Sequence, residues 1–168
     1  QVGEPGRHHQ VVGGELDAHG LEIDEFHQLM VRRAAEWPHA MSASGTHDTK
    51  RGEDFRARLH VLSEMADEWI DTVERWHMLA RTLQTEVDGE PAPDHNDLYL
   101  LFQTILGTWP LGQTDNDARL QFADRITAYM GKALRESKRH TSWMNPLQAY
   151  EDAATAMVRG LLLEDRGA

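Results

Sequence analysis

The 168-residue chain contains no cysteine, which excludes disulfides and thiolate metal sites and fits a reducing compartment. No apolar run approaches the roughly 18 residues that a membrane-spanning helix needs, so no membrane partner is expected. The start lacks the basic head, apolar stretch and small-residue cleavage site of a secretory signal. Long runs of one charge sign are also absent. The 17 basic and 28 acidic residues are interspersed and leave a net charge of -11; such a surface repels phosphate backbones, which argues against nucleic acid as a partner. There is no low-complexity tract and no internal repeat. Met is missing from position 1, and the Gly- and His-rich opening from Gln1 reads as the cut end of something larger.

What remains is ordinary globular material. Hydrophobic residues make up 40% of the chain, with five Trp and seven Met, enough to build one domain with a sizeable core. Residues 1–21 lack apolar periodicity and predict a flexible segment. From Ile23 the pattern becomes helical through Phe26, Leu29, Met30 and Ala34, and Trp37-Pro38 stops it. Met41–Gly45 is short and built of small residues, which suits a strand leading into a functional loop. Glu53–Leu62 predicts a short charged helix. Trp69, Val73, Trp76, Ala80 and Leu83 form a one-sided stripe. Asp88–Pro93 predicts an exposed loop. Asn96 is placed to cap a helix facing inward through Leu98, Leu101, Phe102, Ile105 and Trp109. Thr114 with Asp117 resembles a capping box before Phe122, Ile126, Tyr129 and Ala133. Asn145-Pro146 supplies a start for a last helix with Tyr150, Ala154, Met157, Leu161 and Leu162 inward. The fold class is mainly α.

One stretch departs from helix filler. Ser44–Asp54 places His47, Asp48, Lys50, Arg51, Glu53 and Asp54 directly after the small-residue segment, as in a site presented by a loop on a rigid scaffold. A plain charged turn, with Glu53 and Asp54 favouring the helix dipole, accounts for the same residues. The five tryptophans offer a rival reading, a stand-alone helical carbohydrate-binding or interaction module. Trp69, Trp76 and Trp109 sit on apolar stripes and predict core packing, whereas Trp143 lies off any stripe and suits a cleft or an exposed face. No metal and no cofactor is expected: His77, His95 and His140 are scattered, and no His-x-x-x-His pair with a carboxylate occurs.

Thr46-His-Asp-Thr-Lys-Arg-Gly-Glu-Asp54, Asn96-Asp-Leu-Tyr-Leu-Leu-Phe-Gln103 with Trp109-Pro110, and His140-Thr-Ser-Trp-Met-Asn-Pro146 resemble the maltooligosyl trehalose synthases of the α-amylase superfamily. Glu25-Phe-His27, Trp37–Met41, Ala128–Met130 and Lys132–Arg135 fit in the same order, so the resemblance spans roughly residues 22–163. It implies a (β/α)8-barrel enzyme that turns the reducing-end α-1,4 linkage of a maltodextrin into an α,α-1,1 linkage by intramolecular transglycosylation. Three carboxylates serve that reaction. The resemblance makes Asp48 the third, holding sugar hydroxyls in subsite -1, with His47 on the same sugar. Among the further substrate-binding candidates Lys50 is placed to contact the acceptor glucose, Arg51 to pair with a carboxylate and orient the loop, and Trp143 is added for its position off every stripe. It also implies three parts: the flexible segment 1–21, a barrel-derived segment 22–62, and a helical domain 63–168 covering the barrel mouth, with a strand near Lys138–Trp143. A retaining reaction needs a nucleophile and a general acid about 5–5.5 Å apart, and nothing in the chain matches the family's motifs for them. The expected partners are therefore a maltooligosaccharide and the remainder of the catalytic barrel, the isolated chain is expected to be inactive, and the expected location is cytoplasmic.

Overall fold

The computed structural model describes residues 21–41, 43–46, 49, 51–112 and 115–164. The chain divides into two compact units, 1–53 and 54–168.

In the first unit, α1 (Ile23–Glu36) starts in a capping box: Glu22 accepts from the third helical N–H while Glu25 accepts from the Glu22 N–H at 3.3 Å. It ends where the Trp37 N–H reaches the Arg33 carbonyl, one residue before Pro38. None of its residues is buried. The strand expected at Met41–Gly45 is not formed by the residues described there. Among the described residues the strands pair only with each other, so this segment has no ladder to join.

The second unit is helical. α2 (Glu53–Val61), a 3-10 turn at Leu62–Glu64 and α3 (Ala66–Arg81) lead to a hairpin of β1 (Thr85–Val87) and β2 (Glu90–Ala92). Then come α4 (His95–Thr108), α5 (Asn116–Ser137) and α6 (Gln148–Leu163). The loop expected at Asp88–Pro93 is in fact a hairpin turn and its second strand. Asp88 and Gly89 both take positive φ, 54° and 83°, the two-residue turn whose twist matches paired strands, and Val87 pairs with Glu90.

α5 and α6 run antiparallel, as three successive ties show. Arg135 meets Glu151, Arg159 meets Asp124, and Arg119 donates to the Leu162 carbonyl at 3.0 Å. The last of these satisfies an orphan carbonyl at the end of α6. Between the helices lie Ile126, Met130, Leu134, Tyr150, Met157 and Val158, all buried. α4 adds Leu98, Leu101 and Phe102, and α3 lays the half-buried Trp69 and Trp76 against them. Trp76 meets Phe102 edge-on at 5.4 Å, a favourable arrangement of ring quadrupoles. Trp109 is an exception to the expected core packing, since it is 47% exposed. It lies beyond the last turn of α4, touching Phe122 by one edge. There its carbonyl accepts from Arg58 of α2 at 2.6 Å.

Three expected helix starts shift. Asp94, not Asn96, caps α4, accepting the Asp97 N–H at 2.8 Å. Asp115 caps α5 through the Ala118 N–H at 2.8 Å, while Thr114 lies outside the described residues. α6 begins only at Gln148 and has no side-chain cap. Asn145 is held in the preceding loop, where its N–H meets Ser142 Oγ at 2.9 Å and its carbonyl accepts the Ser142 N–H. That loop is irregular, so no strand forms at Lys138–Trp143. Lys138 instead takes the left-handed conformation that ends α5, with φ 56°.

Candidate functional site

His47, Asp48 and Lys50 lie outside the described residues. Of their described neighbours, the Thr46 N–H meets Thr49 Oγ1 at 2.7 Å and the Thr49 N–H meets the Thr46 carbonyl at 3.0 Å. Arg51 is half-buried, its N–H on the Thr49 carbonyl.

Trp143 is 58% exposed in the loop joining α5 to α6, as its position off every stripe suggests. The loop is tied from below. Glu151, 7% exposed, receives the Arg135 guanidinium on both oxygens, at 2.8 and 2.5 Å, and the Thr141 hydroxyl at 2.7 Å. Two-pronged pairing of this kind fixes orientation as well as charge. The Arg135 bonds hold the Glu151 carboxyl below the usual range against the opposing effect of burial, with Thr141 assisting.

A second polar network, which sequence reasoning missed, gathers where α4, α6 and the same loop meet. Tyr150 is buried and donates its hydroxyl proton to Asp97 Oδ2 at 2.6 Å, while accepting the Asp94 N–H at 3.0 Å. Asp94 Oδ2 takes Arg139 at 3.0 Å and His140 at 2.8 Å, and the His140 ring stacks on Tyr150 at 4.4 Å. Burial raises the Tyr150 hydroxyl, and its bond to Asp97 raises it further. Burial also raises Asp97, despite the Tyr150 bond. For Asp94 burial acts upward too, but the Asp97 N–H, His140 and Arg139 together outweigh it and hold the carboxyl low.

The histidines that look scattered in sequence are therefore partly assembled. His140 joins Asp94, and the His77 and His95 rings lie 5.1 Å apart. Asp94, Asp97 and His140 bring possible metal-ligating atoms within 4.8 Å of one another. Asp94 Oδ2 already serves Arg139 and His140, and Asp97 Oδ2 serves Tyr150, so these bonds brace the start of α4. Beside it opens a cleft of about 360 Å3, lined by Gln84, Val87, Glu90, Asp94, His140 and Tyr150 among others. The signal available in sequence was Asp94-x-x-Asp97, a cap followed by an acid in the first turn.

No protein-family model matches the chain. Individual relatives do. The chain is 38% identical over 141 residues to proteins of two Mycobacterium tuberculosis strains, each provisionally named maltooligosyl trehalose synthase. It superposes on a solved structure titled maltooligosyl trehalose synthase with a TM-score of 0.72 at 32% identity, covering 90% of this chain. The chain matches one segment of the maltooligosyl trehalose synthase family. A Sulfolobus tokodaii structure titled as a hypothetical maltooligosyl trehalose synthase gives a TM-score of 0.71 at 32% identity over 91% of this chain. The maltooligosyl trehalose synthase of Arthrobacter ramosus gives 0.64 at 30% over 86%. The chain spans 17% of the length of the curated maltooligosyl trehalose synthases and 16–19% of these three solved ones.

Proposed function

We propose that the chain is the part of a maltooligosyl trehalose synthase that supplies Asp48, the carboxylate that steadies the transition state when the reducing-end linkage of a maltodextrin is remade as α,α-1,1. The observation that carries this reading is agreement of sequence and fold over the same span, 38% identity to the named relatives together with TM-scores of 0.71–0.72. Residues 22–62 would then be barrel-derived and residues 63–168 a helical cover. An oxocarbenium-like transition state flattens the sugar ring, and hydroxyl contacts that tighten on flattening supply several kcal/mol. Asp48 makes such contacts, His47 holds the same sugar, Lys50 reaches the glucose that accepts the new bond, and Arg51 pairs with a carboxylate to orient the loop. Trp143 adds an apolar contact to the glucan. The reaction takes place in the cytoplasm.

Nucleophile and general acid come from the remainder of the barrel, so the isolated chain does not turn over maltodextrin. The test is reconstitution: this chain, a polypeptide supplying the rest of the relatives' length, and maltopentaose, followed by loss of reducing ends. Activity needing both polypeptides and reduced by Asp48→Asn on the order of a thousandfold is the expected result. Association of the two with bound glucan but no turnover would favour a helical carbohydrate-binding module, and product from this chain alone would refute the division of labour.

A further inference from the structure

Trp143 stands at the tip of a loop that is otherwise fastened. Below it Glu151 is buried, with Arg135 on both oxygens and Thr141 on one. Thr141 Oγ1 accepts the Leu147 N–H at 3.0 Å, and Ser142 and Asn145 exchange two hydrogen bonds. The chain on either side of the indole is thus pinned to α5 and α6. The Arg135 guanidinium then lies over the Trp143 ring, 4.9 Å from its centroid. One face of the indole rests on a cation that is itself clamped by a buried carboxylate, and the residue is still 58% exposed.

Two features of this arrangement point to a ligand rather than to packing. A tryptophan that merely fills space turns inward, as Trp76 does against Phe102; this one is propped outward by a network anchored in the core. A ring held in place before binding loses little freedom on contact, which favours weak flat-face stacking. The apolar C–H face of a pyranose matches an indole in shape and lack of charge. The exposed Asn145 carboxamide, two residues on, offers both donor and acceptor to ring hydroxyls.

We infer that Trp143 is a stacking platform for a glucose ring of an α-glucan, and that Arg135 and Glu151 are its positioning residues. This rests on the maltodextrin reading above and assigns to it a subsite apart from the Asp48 chemistry. The guanidinium does not touch the sugar. Its planar fork keeps the indole facing outward, a task the flexible point charge of lysine performs poorly.

The experiment uses the full 168-residue chain with maltohexaose as probe and cellohexaose as control. The Trp143 emission, taken as wild type minus Trp143→Phe, is followed during each titration. A saturable change with maltohexaose, weakened about fivefold or more in Trp143→Ala, is expected. Arg135→Lys is expected to weaken binding by a similar factor and to raise acrylamide quenching of Trp143, with the helical circular dichroism unchanged. No Trp143-dependent change up to the solubility limit, an equal response to cellohexaose, or a response only to the complementary polypeptide would overturn the platform. Unchanged affinity and quenching in Arg135→Lys would overturn the positioning role. Trp143 is exposed, so loss of folding does not confound its variants. The reconstitution assay at saturating glucan reads Asp48, so failure here leaves that reading standing.

Discussion

Asp97 and Glu151 are both buried, 5% and 7% exposed, yet their carboxyls shift in opposite directions. Burial raises Asp97, which has one neutral donor in Tyr150, while the two-pronged Arg135 bond lowers Glu151. Folding therefore favours the proton on Asp97 and its loss from Glu151. The stability from Glu151 is complete above the ordinary carboxylate range, about pH 4.3, and is lost as pH falls through its lowered value. Asp97 works the other way: its contribution is complete below its ordinary range and is lost as pH rises through its raised value. The two partly cancel on acidification. Glu151→Gln is expected to lower Tm at neutral pH by a few degrees and to flatten its fall between about pH 6 and pH 3. Asp97→Asn, which keeps an acceptor for Tyr150, is expected to leave neutral-pH Tm nearly unchanged and to steepen that fall. Parallel Tm-against-pH curves for wild type and both variants would contradict the assignment. None of these partnerships was legible from sequence, because Tyr150 and Asp97 are 53 positions apart.

Helix positions were largely readable, and their ends much less so. The inward faces of α4, α5 and α6 follow the apolar stripes because burial at 3.6-residue spacing leaves a strong periodic record. A cap depends on one side chain and one dihedral angle, so Asp94 and Asn96 compete on nearly equal terms. The hairpin was passed over although Asp88-Gly89 is a recognised turn pair, because strands of three residues leave too little alternation to see. Close approach between elements was likewise invisible. A Cβ on Gly107 of α4 would lie 2.9 Å from Phe55 Cγ and nearer still to other atoms of that buried ring. At Gly160 of α6 it would meet only the end of Leu83, 2.8 Å from Cδ2. Alanine in mid-helix ordinarily gains roughly 0.5–1 kcal/mol over glycine. Gly160→Ala is thus expected to be near neutral, whereas Gly107→Ala forces α2 from α4 and costs about 1–3 kcal/mol. Denaturant midpoints for the two variants check the contrast, and equal effects would mean that Phe55 yields freely.

On the scale of the molecule, the chain corresponds to 17% of its curated relatives, and this explains what sequence could and could not reveal of the candidate site. His47-Asp48 was legible as a motif because its residues are adjacent in sequence. The Asp94 network was not, since it draws on the start of α4, the loop after α5 and the first turn of α6. That network has a bearing on how the protein breathes. Asp94 gives its N–H to Tyr150, accepts the Asp97 N–H, and holds Arg139 and His140. Thr141 in turn holds the Leu147 N–H and Glu151. Neither α4 nor α6 can fray at its first turn without releasing the other, so local opening there is replaced by a cooperative one. In native-state hydrogen exchange the amides of Asp94, Asp97 and Leu147 should exchange with a common opening energy and a common denaturant slope. Three amides spread over 53 residues of sequence would then report one event.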